Sequence, residues 1–257
     1  MENYKFPQEV SLCLSGGAGR GAYHLGIVSV LQEHNIQIKA ISGTSIGALI
    51  GASVACGKSA AYIFEVMKSK EFRSVFRISL GHGYLFKLND TANVVNKLID
   101  KKSFEALEIP LSVAACDVKN ENAIYYESGL NFKKAVLASC SITPLFAPIY
   151  IEKTLVVDGG MVDNFPVEQL QKYDYPIIGV NLFPKDRNIP TSIIGWIRKN
   201  IYTAWHSKYS YKKELCDIYL CNDKLLEVKV FSFKDLDKAY TLGKEDMKKI
   251  IENFPKT

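Results

Sequence analysis

No run of apolar residues in this 257-residue sequence approaches the ~20 needed to carry a helix across a bilayer. The first ten residues are polar and lack the apolar core of a signal peptide, so the expected location is cytoplasmic, with membrane contact confined to a surface. The six cysteines (Cys13, Cys56, Cys116, Cys140, Cys216, Cys221) include no C-x-x-C pair. Most sit in apolar segments, which points to buried reduced thiols rather than disulfides or zinc ligands. There is no His-Glu-x-x-His and no Asp-x-Asp cluster, so no metal site is expected. Internal repeats, low-complexity linkers and a clear domain boundary are also missing, which favours a single domain over residues 1–257. A net charge of +5 permits weak attraction to anionic surfaces, but no nucleic-acid motif accompanies it. Nothing in the sequence bears on oligomeric state.

What is present alternates. Val10-Ser11-Leu12-Cys13-Leu14 reads as a buried strand, a glycine-rich loop follows at once, and residues 22–34 have helical apolar spacing. The order then repeats, with a strand over 36–41, a Gly-Thr-Ser-Ile-Gly turn and a small-residue apolar helix over 48–55. Strands alternating with helices predict a mostly parallel sheet covered on both faces. Further strands are expected at 109–116, 122–127 (as an edge or hairpin arm), 154–157, 176–182 and 228–230. Helices are expected at 132–139, from 164 onward, at 192–213 and at 244–253. Residues 59–104 read as helical and irregular, broken at Gly81-His82-Gly83, with Asp90 capping a helix over 91–99.

Gly43-Thr44-Ser45-Ile46-Gly47 lies at a strand-to-helix junction, the context in which G-x-S-x-G exposes a nucleophile on a strained turn. A side chain at Gly43 or Gly47 would crowd that turn, and the following helix directs its free N–H groups toward Ser45. An ordinary tight turn is the competing reading. The loop Ser15-Gly16-Gly17-Ala18-Gly19-Arg20-Gly21 admits three readings. It fits a dinucleotide pattern, yet the second strand ends with no acidic residue to hold a ribose. It also fits an oxyanion hole in which the N–H groups of Gly17, Ala18 and Gly19 converge beside Ser45, or a turn needed only for packing. Asp158-Gly159-Gly160 ends a strand, and in a parallel sheet that end is the carboxyl edge shared by Ser45 and the glycine loop. Asp158, partly desolvated there, is a candidate base for the Ser45 hydroxyl; a turn cap is the alternative. Asp163 is expected to begin the next helix. Of the four histidines (His24, His34, His82, His206), His206 would complete a triad in the chain order Ser45, Asp158, His206, although it falls within a helical pattern.

Taken together and in this order, the three motifs resemble those of the patatin-like phospholipase family, especially its short bacterial members. The likeness extends through Ala22-Tyr23-His24-Leu25-Gly26 and Met161-Val162-Asp163-Asn164-Phe165-Pro166-Val167. The resemblance implies a three-layer α/β/α sandwich and a Ser-Asp dyad without histidine, with Ser45 as nucleophile and Asp158 as base. It also implies an oxyanion loop of Gly16, Gly17 and Ala18 with Arg20 close by. The implied activity is hydrolysis of phospholipid acyl esters, with no cofactor. Alternatives are a triad esterase, a non-catalytic lipid-binding module and a nucleotide-dependent oxidoreductase. One departure stands out. The family carries a third glycine where this chain has Ala18, a position alanine would strain if its φ is positive.

Two stretches interleave bulky apolar and basic residues as interfacial segments do, at 71–78 and 193–202. A long helix over the second is expected to bury its apolar stripe on the sheet, which leaves the first as the expected membrane contact.

Overall fold

The computed structural model describes residues 6–73, 76–78, 83–88, 93–209, 211–230, 232 and 234–254. The chain runs β1 (Glu9–Leu14), α1 (Ala22–Glu33), β2 (Gln37–Thr44), α2 (Ile46–Ala55), α3 (Ala60–Lys68), α4 (Lys70–Arg73), β3 (Phe76–Ile78) and β4 (Phe86–Leu88). It continues α5 (Asn93–Leu98), β5 (Leu111–Asp117), β6 (Asn122–Tyr126), α6 (Phe132–Ser139), β7 (Ile149–Ile151) and β8 (Thr154–Asp158). It closes with β9 (Ile177–Val180), α7 (Ile193–Tyr209), β10 (Ile218–Leu220) and α8 (Leu236–Glu252).

The main sheet has the order β10-β9-β1-β2-β5-β8-β7, with β6 folded back on β5. β10, β9, β1, β2 and β5 are mutually parallel. β6, β7 and β8 form an antiparallel wing. The result is a three-layer α/β/α sandwich around a mostly parallel sheet. β1 is buried from Val10 to Leu14 and β9 along its whole length, because both of their faces are covered. α1 is buried from Ala22 to Leu31, and α2, built of small residues, is buried along its whole length. α8 lies against α1 through a stripe of Leu236, Ala239, Leu242, Gly243 and Met247.

Several expectations change. The strand before Ser45 runs three residues beyond 41, to Thr44, so Ser45 follows β2 directly. Residues 59–104 include the β3–β4 hairpin. The last strand among the described residues is Ile218–Leu220, and residues 228–230 form none; the three residues of β10 are too few to show a sequence period. The segment after Asn164 forms a 3-10 turn, Val167–Leu170, rather than a helix. α8 begins eight residues before the expected start at 244. His82 and the proposed Asp90 cap lie outside the described residues. All six cysteines are unpaired, with Cys13, Cys56 and Cys116 buried. Among the described residues no helix is long and apolar enough to cross a membrane, and no group of three or more His, Cys, Asp or Glu could hold a metal ion.

Candidate active site

Ser45 joins β2 to α2 with φ 54° and ψ −124°. Such a conformation costs an L-residue about 1–3 kcal/mol and persists only where its surroundings enforce it. The enforcement is visible. A Cβ on Gly43 would meet the Gly47 carbonyl oxygen at 2.7 Å, and one on Gly47 would overlap the Leu14 carbonyl. The Ser45 N–H donates to Ser139 Oγ at 2.8 Å, and that hydroxyl in turn donates to the Ala114 carbonyl at 2.6 Å. Ser139, fully buried, is a positioning residue that no sequence motif flags.

Asp158 is 4% exposed. The strand ending at Asp158 is antiparallel to β5, so Asp158 does not reach Ser45 by the carboxyl-edge rule of parallel sheets. Register brings the two residues level instead. Thr44 pairs with Ala114 and Asp158 with Ala115, which sets Ser45 and Asp158 in one row across β5. The Ser45 side chain lies close enough to the Asp158 carboxylate to favour its ionised form, and the Gly160 N–H donates to Asp158 Oδ1 at 2.7 Å. Burial pushes Asp158 up to about 6, against the pull of Ser45 and of the Gly160 N–H. Gly159 rests on the Ala114 carbonyl, where a Cβ would stand 2.5 Å from its oxygen.

The glycine loop abuts this pair. A Cβ on Gly16 would stand 3.2 Å from Ser45 Cβ and would overlap the Asn164 carboxamide oxygen. The Gly16 N–H donates to the Asn164 carbonyl at 3.3 Å, and the Gly19 N–H to the Val230 carbonyl at 2.6 Å. Both donors are therefore engaged. Among the described residues, the N–H groups of Gly17 and Ala18 have no hydrogen-bond partner. Gly17 has φ 156° and is packed under Leu182. Ala18 has φ 46°, so alanine occupies a left-handed backbone position.

Arg20 is buried. Its Nε donates to the Val228 carbonyl at 2.9 Å and Nη1 to the Leu182 carbonyl at 3.1 Å, with its guanidinium over the Phe183 ring. It clamps the loop to two later segments of the chain. Gly21 lies against Ile46, at the start of α2. His24 Nε2 is 2.9 Å from the Ser15 carbonyl, beneath the loop, and burial pulls it down to about 4, so the ring is neutral and Nε2 donates. His206 sits on α7 near Pro184, and burial lowers its pKa. Among the described residues no histidine acts on Asp158.

Asp163 does not start a helix. It accepts from Tyr125 at 2.7 Å and forms a 2.8 Å ion pair with Lys212. Lys212 also pairs with Glu168 at 2.7 Å. Burial lowers the Lys212 pKa, but Asp163 and Glu168 outweigh it and the net shift is upward.

The sequence pattern of the "Patatin-like phospholipase" family matches residues 12–170, more than half of the chain. The chain belongs to the patatin-like phospholipase family. This patatin-like chain is 31% identical over 190 residues to Lysophospholipase NTE1 of Scheffersomyces stipitis, covering 71% of this chain and 12% of that protein. It is 28% identical over 189 residues to an uncharacterized NTE family protein of Mycobacterium tuberculosis, covering 72% of this chain and 49% of the relative. The patatin-like chain thus spans about half the length of that relative. Among solved structures, VipD from Legionella pneumophila superposes with a TM-score of 0.54 at 14% identity, covering 96% of this chain and 67% of that one. That likeness is one of fold.

Proposed function

We propose that the protein is a serine acyl hydrolase that cleaves acyl esters of phospholipids or related lipids through the pair Ser45 and Asp158. The observation that carries this reading is the strained, half-buried Ser45, set by strand register beside the buried Asp158 carboxylate that burial pushes up to about 6. At neutral pH Asp158 is mostly ionised and accepts the Ser45 proton as the oxygen attacks the ester carbonyl. The Gly17 and Ala18 N–H groups are the proposed oxyanion donors, with Gly16 and Gly19 holding the loop's shape and Arg20 clamping it. The alcohol leaves with the proton from Asp158, an acyl-enzyme remains, and Asp158 then activates water to release a fatty acid. The scheme needs no metal or organic cofactor. The lipid substrate class follows the family, and the yeast relatives are named lysophospholipases.

The test is a panel of diacyl and lysophospholipids incubated with the protein and with Ser45→Ala, the products being identified by mass. Fatty acid release by the first and none by the second is expected. Equal release by both would remove Ser45 from the mechanism.

A further inference from the structure

The apolar stripe at the start of α7 is not buried on the sheet. Ile193 and Ile194 are 81% and 80% exposed, Ile197 56% and Trp196 50%, and Ile189 just before the helix is 81% exposed. Ile193, Trp196 and Ile197 stand at the i, i+3, i+4 spacing that gathers side chains on one helix face. Clustered large apolar side chains in water mark a surface that something else covers. The other interfacial candidate loses ground, because Phe72 is 7% exposed and packed in the core, while Ser74 and Val75 lie outside the described residues.

Two observations say what covers the stripe. The first is charge. Positions 185–208 carry five basic residues (Lys185, Arg187, Arg198, Lys199, Lys208) and one acidic residue, Asp186, a net +4 of the chain's +5. Lys185 and Arg187 are exposed beside Ile189. The second is place. β9 leaves the sheet at Val180, paired with Leu14 just before the glycine loop. Leu182 then packs on Gly17, and Arg20 stacks on Phe183. Tyr202 of α7 meets Phe183 with ring centroids 5.3 Å apart, and His206 lies near Pro184. The second half of α7 is thereby tied to the segment supporting the glycine loop, while Ile193, Ile194, Trp196 and Ile197 in its first half stay exposed. At about 1.5 Å per residue the 17-residue helix spans roughly 26 Å.

We infer that the exposed face formed by Ile189, Ile193, Ile194, Trp196 and Ile197, flanked by Lys185 and Arg187, is a docking surface for an anionic phospholipid bilayer. It rests on the lipid-hydrolase reading for its purpose. Isoleucine and tryptophan side chains enter the headgroup boundary, the basic residues meet anionic headgroups, and the glycine loop is held at the interface where acyl esters lie. A second copy of this chain would carry the same net positive stretch and would repel it.

The test uses the full chain with vesicles of phosphatidylcholine alone or mixed with phosphatidylglycerol, in a co-sedimentation assay. Binding should favour the anionic vesicles and fall as salt rises from about 0.05 to about 0.5 M. Ile193→Ser with Trp196→Ser should lower binding about tenfold or more, since both side chains are already exposed and the fold does not depend on them. Hydrolysis of a short soluble ester should be unchanged. Equal binding by the two proteins, no preference for anionic vesicles, or a dimer that the double change dissociates would each overturn the assignment. Retained vesicle binding without any ester hydrolysis by the unaltered protein would instead defeat the hydrolase reading and leave the docking surface standing.

Discussion

The Thr44 hydroxyl donates to the Asp163 carbonyl oxygen at 2.8 Å, across 119 residues of sequence. This bond fastens the residue before Ser45 to the segment that follows Asp158. Lys212 holds the same Asp163 by its carboxylate, with both side chains 6% exposed. Lys212→Met would leave a buried carboxylate with no cation and should cost about 3–5 kcal/mol. Denaturant unfolding checks this. Adding Asp163→Asn to Lys212→Met should recover part of the loss; an additive pair would show that the two residues are not coupled.

On the proposed mechanism nucleophile and base act as one unit, so Ser45→Ala, Asp158→Asn and the double change should lower kcat on an acyl ester to a similar residual level. His206→Ala should retain most of the activity. A folded His206→Ala protein as impaired as Ser45→Ala would reinstate the triad.

Asp158 imposes opposite demands on rate and stability. As the proposed base it must be ionised, so kcat/KM should rise with pH and level off above about 6. For stability, the folded pKa of about 6 exceeds the usual ~3.9 of an unfolded aspartate. The folded state then binds the proton more tightly, and the contribution is full below ~4 and lost as pH rises through about 6. Above that window the ionised carboxylate costs up to about 3 kcal/mol. Asp158→Asn keeps an acceptor for Gly160 without the charge. It should raise Tm by several degrees at pH 8 and leave it nearly unchanged at pH 4. A Tm that falls at pH 8 would contradict the raised pKa.

Ala18→Gly should remain fully active. It relieves a positive φ that costs alanine about 1–2 kcal/mol, and glycine's added freedom when unfolded offsets about 0.5–1 kcal/mol of that. The expected net change is a stabilisation of about 1 kcal/mol or less, measurable by denaturant titration. Gly17→Val, pressed into Leu182, should abolish activity. A folded, fully active Gly17→Val protein would dispose of the oxyanion assignment.

Features that depend on local backbone chemistry could be read from the sequence. The glycines around Ser45 and in the 15–21 loop announce tight turns between apolar segments, and the structure has strand, turn and helix there. Long-range partnerships could not. Ser139 looks like any small residue in a helix, and its bond to the Ser45 amide depends on where α6 crosses β5. Lys212 lies 49 residues from Asp163, and a lysine in a polar stretch reads as solvated. Strand direction was also hidden, because Thr154 to Asp158 has the same apolar pattern whether it runs with or against β5. For α7, periodicity showed a stripe but not whether that stripe faced the sheet or the solvent.

The antiparallel pairing of β8 with β5 also acts as a check on assembly. Slipping β8 by one residue would carry Asp158 about 3.3 Å along the sheet and turn its side chain to the opposite face. A protein misassembled in that way would have its serine and no base to activate it. On the hydrolase reading, a chain that has not completed its sheet is harmless to the membranes around it.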